Sequence, residues 1–213
     1  MLPEFTTLTI FIVAAMVLLI TPGPAVVYIV TRSIDQGRMA GIVSALGVGI
    51  GGLFHVAAAA LGLSALLVSS ALAFNLVKYL GAAYLIFLGV RKLLAREEGK
   101  QTDTLEQKRL PRIFLQGVVV NLLNPKTALF FFAFLPQFID VKRGAVSIQI
   151  LLLGIIFVTM GICSDGTYAI LAGTVGHWLK GNLRFLRAQR YFSGSVYILL
   201  GVVTAISGSG RKG

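Results

Sequence analysis

No acidic or basic residue occurs between Glu4 and Arg32, and this uncharged stretch is the tightest constraint on how the chain folds. The hydrocarbon core of a bilayer is about 30 Å thick, and a helix needs about 20 apolar residues to cross it. Stretches of this kind recur along the whole 213-residue chain. Charged residues make up only 13% of it, about half the share of a soluble domain. The runs do not alternate, whereas barrel strands are about ten residues long with period two. The expected fold is therefore all-α and membrane-embedded, with six transmembrane helices.

Charges mark the span boundaries. The expected spans are Thr7–Val30, Ala40–Leu67, Phe74–Leu94, Arg112–Ile139, Ala145–Gly173 and Tyr191–Ser207. Short loops are expected at Arg32–Arg38, Ser69–Ser70 and Asp140–Gly144, and a long charged one at Ala95–Pro111. Lys78 is close enough to a span end to snorkel, and His177 with Trp178 reads as an interface anchor after span five. The net charge of +11 sits between apolar runs, which points to anionic lipid rather than nucleic acid. Loops one–two, three–four and five–six hold 13 Lys and Arg, against 5 on the other side. That excess puts these loops in the cytoplasm and both termini outside; if span one does not cross, leaving five spans, the N-terminus lies on the other side. The sequence before Arg32 has no basic residue and its apolar run is too long for a secretory signal. A lone Cys163 and two histidines allow no intrachain disulfide and no zinc motif.

The two halves repeat. At an offset of 112, Tyr79, Ile86, Leu88, Gly89 and Val90 meet Tyr191, Ile198, Leu200, Gly201 and Val202, and Lys78 meets Arg190. Span one is interrupted by Thr21-Pro22-Gly23-Pro24 and span four by Asn124-Pro125-Lys126, each the first helix of its half. His55 and Asp165 lie in spans two and five at an offset of 110. Three spans per half is an odd number, so the second half must be inverted. The organisation expected is a repeat over 1–94, a cytoplasmic linker over 95–111 and a second repeat over 112–213. Inverted repeats with matching broken helices recur in secondary transporters, with substrate bound where the breaks meet.

The breaks carry the polar chemistry. Pro22 and Pro24 each remove a backbone donor around Gly23, which favours a true break over a simple kink. Asn121, Asn124 and Lys126 sit mid-span, with residues 113–125 and 127–139 uncharged. A lysine there costs about 2.5–3.5 kcal/mol and needs a partner or a wet cavity. It holds either a substrate carboxylate or a structural partner. Asp165 is the one carboxylate within a span, and it binds an amine, pairs with Lys126 or carries a proton. His55 is a second coupling candidate, although a lone imidazole in an apolar helix is more often a packing residue. Tyr28, Tyr79, Tyr84 and Tyr168 are interfacial or cavity-lining, and Phe130–Phe132 face lipid or pack. Gly41, Ala45 and Gly49 form a small-residue stripe, and Gly47 and Gly51 a GxxxG pair, both read as helix packing. No nucleotide-binding signature, nucleophile–base set or metal cluster appears, so no enzyme activity, cofactor or resident metal is expected.

These residues resemble the LysE/RhtB family of amino-acid exporters. The resemblance rests on Thr21-Pro22-Gly23-Pro24 followed by Gln36-Gly37-Arg38, Gly41, Gly47 and Gly51. It rests also on Asn121-Leu122-Leu123-Asn124-Pro125-Lys126 running into Phe131–Phe138, and on Lys78 through Gly89. Many family members carry Asn or Asp directly after the Pro-Gly-Pro, where this chain has Ala25. The resemblance implies a bacterial inner membrane and export of an amino acid or close derivative by proton antiport. It favours neutral substrates of the homoserine, threonine or leucine kind over basic ones. The partners expected are that small molecule and membrane lipid, with no nucleic acid; a homodimer stays open. The alternatives are a divalent-cation exporter of the same superfamily and a membrane scaffold.

Overall fold

A computed structural model of the chain describes residues 4–63, 71–94 and 109–179, with isolated positions between Arg187 and Ile206. Every element among these is helical. Helix α1 spans Phe5–Ile20 and α2 Pro24–Gln36. Helix α3 spans Arg38–Ala58 and ends in a π-turn over Ala59–Leu63. Helix α4 covers Ala71–Leu94 and α5 Leu110–Leu122. A segment α6, Pro125–Phe138, runs through an α-turn, a π-turn and a 3₁₀ turn in succession. Helix α7, Val146–Leu179, is the longest among the described residues.

Among the described residues, two unbroken helices are long and apolar enough to cross a membrane, over Arg38–Gly62 and Val146–Thr174. Two bent pairs meet the same test, α1 with α2 at 51° and α5 with α6 at 47°. Both expected breaks are present, and they bend the chain by nearly equal angles. In each, proline opens the second segment, where its missing N–H would have no helical partner.

Two boundaries differ from the sequence reading. The expected loop at Arg32–Arg38 is helix as far as Gln36, and Gly37 alone makes the turn. Its φ of +87° is a conformation that glycine adopts without strain. Arg32 stays inside the helix because its guanidinium donates to Gln116 Oε1 at 3.0 Å and lies over the Tyr28 ring. Helix α7 continues to Leu179, so His177 and Trp178 belong to its backbone rather than following it. The Ser69–Ser70 turn, Ser64–Leu67 of span two, the linker residues 95–108, Lys180, Arg184, Arg190, Arg211 and Lys212 lie outside the described residues, as does most of span six.

Helix α3 is the hub, packed on α2, α5 and α7. Its small residues make this possible on two faces at once. A Cβ on Gly47 would overlap the Phe114 carbonyl of α5, and one on Gly51 would sit 2.7 Å from the Val118 carbonyl. Opposite, Gly49 faces Ile162 and Gly41 faces Ala169, both on α7. Gly117 of α5 returns the contact, with the Ser44 carbonyl 2.7 Å from its would-be Cβ. Without a hydrophobic driving force between helices in lipid, such close backbone approach is what holds them together.

A second cluster joins α1, α6 and α7. Phe130 stacks on Phe157 at 4.0 Å, Phe11 meets Phe138 edge-on at 5.3 Å, and Phe131 is fully buried. Phe130 and Phe131 therefore pack rather than face lipid. The outer surface is apolar instead, with Leu115, Ile155 and Leu171 all more than half exposed. Gly201 packs on Ile86 of α4, 2.7 Å from its would-be Cβ. At the α6–α7 turn, Gln149 is buried and donates to the carbonyls of Asp140 and Gly144 at 2.9 and 2.8 Å.

Gly47→Ala should destabilise the protein by about 1–3 kcal/mol, because overpacking outweighs alanine's better helix propensity. Gly166→Ala, whose Cβ meets nothing within 4 Å, should be neutral or stabilising. Thermal melting of both variants in one detergent checks the ordering.

Candidate functional site

A proline in a membrane helix leaves the carbonyl four residues earlier without its donor, and hydrocarbon offers no water to replace it. At the first break Pro22 frees the Leu18 carbonyl, which is met by the Thr21 N–H at 3.1 Å. Pro24 frees the Ile20 carbonyl, and the phenol of Tyr168, reaching over from α7, donates to it at 2.6 Å. The Thr21 carbonyl points out of the break, and the Lys126 ammonium donates to it at 2.5 Å.

At the second break Pro125 frees the Asn121 carbonyl. It accepts from the Asn124 N–H at 3.0 Å and bonds to His55 Nε2 of α3 at 2.9 Å. A carbonyl only accepts, so Nε2 carries the hydrogen in this pair. Asn124 is the N-cap of α6, its Oδ1 accepting from the Lys126 N–H at 3.1 Å. Asn121 Oδ1 accepts from Asn124 Nδ2 at 3.2 Å and from Thr127 Oγ1 at 2.8 Å, while its amide donates to the Val48 carbonyl at 2.7 Å. The Asn-Pro-Lys break is thus bonded within itself and anchored to α3.

The two breaks meet at one cavity of about 50 Å³. Lys126, Asn121, Asn124 and Asp165 line it on the polar side, and Val26, Phe157, Val158 and Ile162 among others on the apolar side. At ~10–15 Å³ per water this volume holds a few waters. Lys126 and Asp165 are only 8% and 7% exposed.

Among the sequence-selected residues, Gly23, Asn121, Asn124, Lys126 and Asp165 all line this cavity. Pro22 and Pro24 flank Gly23 and create the break. His55 is buried one bond away, engaged with the Asn121 carbonyl and stacked on Phe131. Tyr168 and Thr127 carry parts that the sequence reading did not assign. The signal for Tyr168 lay in Pro24, whose orphaned carbonyl demands a donor, but spacing does not say from which helix. Two further ties fix α2 beside the site: Ser33 Oγ donates to the Ala169 carbonyl at 2.5 Å and Tyr28 Oη to the Ile113 carbonyl at 2.8 Å.

An all-helical membrane protein with two broken spans converging on a buried lysine and carboxyl has the build of a transporter. Comparison with known proteins gives the family: a profile of LysE type translocators matches residues 16–208, and the chain belongs to that family. It is 32% identical to an uncharacterized membrane protein of Vibrio cholerae over 195 residues, covering 92% of this chain and 94% of that one. It is 30% identical to the homoserine/homoserine lactone efflux protein of Salmonella typhimurium, again over 92% and 94% of the two chains. It is 29% identical to the membrane protein YrhP of Bacillus subtilis over 94% and 99%. No solved structure matches. The protein is a multi-pass membrane translocator of an efflux family.

Asn121→Ala orphans three bonded groups and should cost about 2 kcal/mol, while Asn124→Ala loses mainly a helix cap at about 1 kcal/mol. Reversible unfolding in mixed micelles measures both, and an equal or reversed ordering would contradict the bonding described.

Proposed function

We propose that this protein exports a neutral amino acid, or a close derivative such as a lactone, across the bacterial inner membrane in exchange for protons. The observation that carries the proposal is the Lys126 ammonium of one break lying on the Thr21 carbonyl of the other, beside Asp165. The architecture we infer is two inverted three-helix halves, 1–94 and 112–213, joined by the linker 95–111. The nearly equal bends of 51° and 47° and the Gly201–Ile86 contact support it.

In this reading a substrate carboxylate takes the place of the Thr21 carbonyl on Lys126. Charge-assisted hydrogen bonds are about twice as strong as neutral ones, so the exchange favours substrate. It also unties the two breaks, and the contracted cavity widens around the ligand. The substrate ammonium goes to Asp165, which otherwise carries a proton. One carboxyl that holds either a proton or the substrate amine couples the two fluxes. Between the two sequence-derived coupling candidates, Asp165 is preferred because it lines the cavity, and His55 is not among the lining residues. The apolar wall, including Ala25 where many family members carry Asn or Asp, suits an uncharged side chain. The homoserine and homoserine-lactone name borne by a 30% identical relative agrees with that class.

The test is uptake of a labelled amino-acid panel into inside-out vesicles, with and without an acid-inside pH gradient. Wild type is expected to accumulate neutral amino acids only with the gradient. Lys126→Ala is expected to lose about 10–100-fold in kcat/KM, the cost of one charged hydrogen bond. Asp165→Asn is expected to lose the response to the gradient while remaining folded. Gradient-driven transport by Asp165→Asn at the wild-type rate would remove that residue from coupling, and transport of no panel member by folded wild type would overturn the export reading.

A further inference from the structure

At each of the two breaks, one proline-freed carbonyl is met by a side chain from the middle helix of the opposite half. Tyr168 of α7 donates to Ile20, four residues before Pro24, and His55 of α3 donates to Asn121, four residues before Pro125. His55 and Tyr168 are 113 residues apart, close to the offsets of 112 and 110 read between the two halves. The correspondence is therefore crossed: the first half seals the second and the second seals the first.

We propose that Tyr168 and His55 are paired latches, positioning residues whose hydrogen bonds hold the two broken helices in the contracted state and whose release selects the face to which the cavity opens. This rests on the inverted-repeat exporter read above. Four points of chemistry carry it. A backbone hydrogen bond inside a helix forms and breaks with the helix, whereas a phenol or imidazole can leave its acceptor with no change in helix length. Once Tyr168 leaves, the Ile20 carbonyl is tolerated only where water reaches it, so release and wetting are one event there, whereas the Asn121 carbonyl keeps the Asn124 N–H at 3.0 Å and exchanges His55 for water on its second lone pair. Both acceptors lie beside the cavity, since Leu19 and Gly23 on either side of Ile20 line it and so does Asn121. Finally, the two latches are related by inversion across the membrane, so the same loss on one and on the other must bias the conformational equilibrium in opposite directions. Hydrogen bonds between membrane helices are each worth about three- to fifteenfold in an equilibrium, enough to shift the apparent affinity at a face by a comparable factor.

The test uses the full-length protein as wild type, Tyr168→Phe, His55→Phe and His55→Gln. Apparent KM for a transported amino acid is measured at each face, in right-side-out and inside-out vesicles. Hydrogen–deuterium exchange is measured on the same proteins in lipid nanodiscs, with no substrate. Tyr168→Phe is expected to lower KM about fivefold at one face and raise it at the other, with His55→Phe reversing the two. Exchange is expected to rise at the first break in Tyr168→Phe and at the second in His55→Phe. His55→Gln, which keeps a donor, is expected to restore both readouts toward wild type. KM moving the same way at both faces, or not at all, in folded variants reduces the two residues to structural seals and overturns the proposal. If wild type transports no amino acid, the export reading fails by itself, and exchange then decides the latch: a rise at the cognate break alone supports it, and an equal rise at both breaks or at neither overturns it. If a Phe variant does not fold, His55→Gln and the remaining Phe variant decide on the same criteria.

Discussion

Hydrocarbon cannot hydrogen-bond a peptide group, and everything particular about this structure answers that constraint. Three prolines at the two breaks release three carbonyls at membrane depth, those of Leu18, Ile20 and Asn121. An ordinary soluble protein would leave them to water. Here each finds a donor: the Thr21 N–H, the Tyr168 phenol and the His55 imidazole. Lys126, which would be expensive in lipid, lies on a fourth carbonyl, that of Thr21, at 2.5 Å. The two weak points of the fold thus stabilise one another, and the place where they do so is the cavity.

The rest of the architecture serves that meeting. Helix α3 must approach α5 closely enough for His55 to reach Asn121 and for Asn121 to reach Val48. Gly47, Gly51 and Gly117 remove the side chains that would keep the backbones apart. On the other face Gly41 and Gly49 let α7 come close, and α7 brings Asp165 and Tyr168 to the first break. The phenylalanine cluster around Phe130, Phe131 and Phe157 fills the space beside the second break with rigid rings. Packing therefore carries stability at the periphery, while hydrogen bonds at the centre leave a contact set that a ligand can exchange.

Much of this was legible in the residues alone. Uncharged runs define spans because the bilayer sets a length, and prolines define breaks because a missing N–H is a local property. Lys126 and Asp165 stood out because charge in an apolar run is costly, and both line the cavity. Three features were not legible. The helix through Arg32 hides behind its charge, since only the fold supplies Gln116 and Tyr28 as partners. The donor for the Ile20 carbonyl is 148 residues away in sequence, and no spacing rule connects Pro24 to Tyr168. His55 looked like a coupling group or a packing residue, and its position is explained instead by a carbonyl 66 residues on. Local chemistry announces where a group will need a partner, while the partner's identity is decided by helix packing.

The most direct test of the central claim is an experimental structure in lipid with a transported amino acid bound. The account predicts the ligand between the two breaks, its carboxylate on Lys126 in place of the Thr21 carbonyl and its amine at Asp165, with the cavity enlarged beyond its present volume of about 50 Å³. A ligand bound elsewhere, with Lys126 still on Thr21, would contradict it.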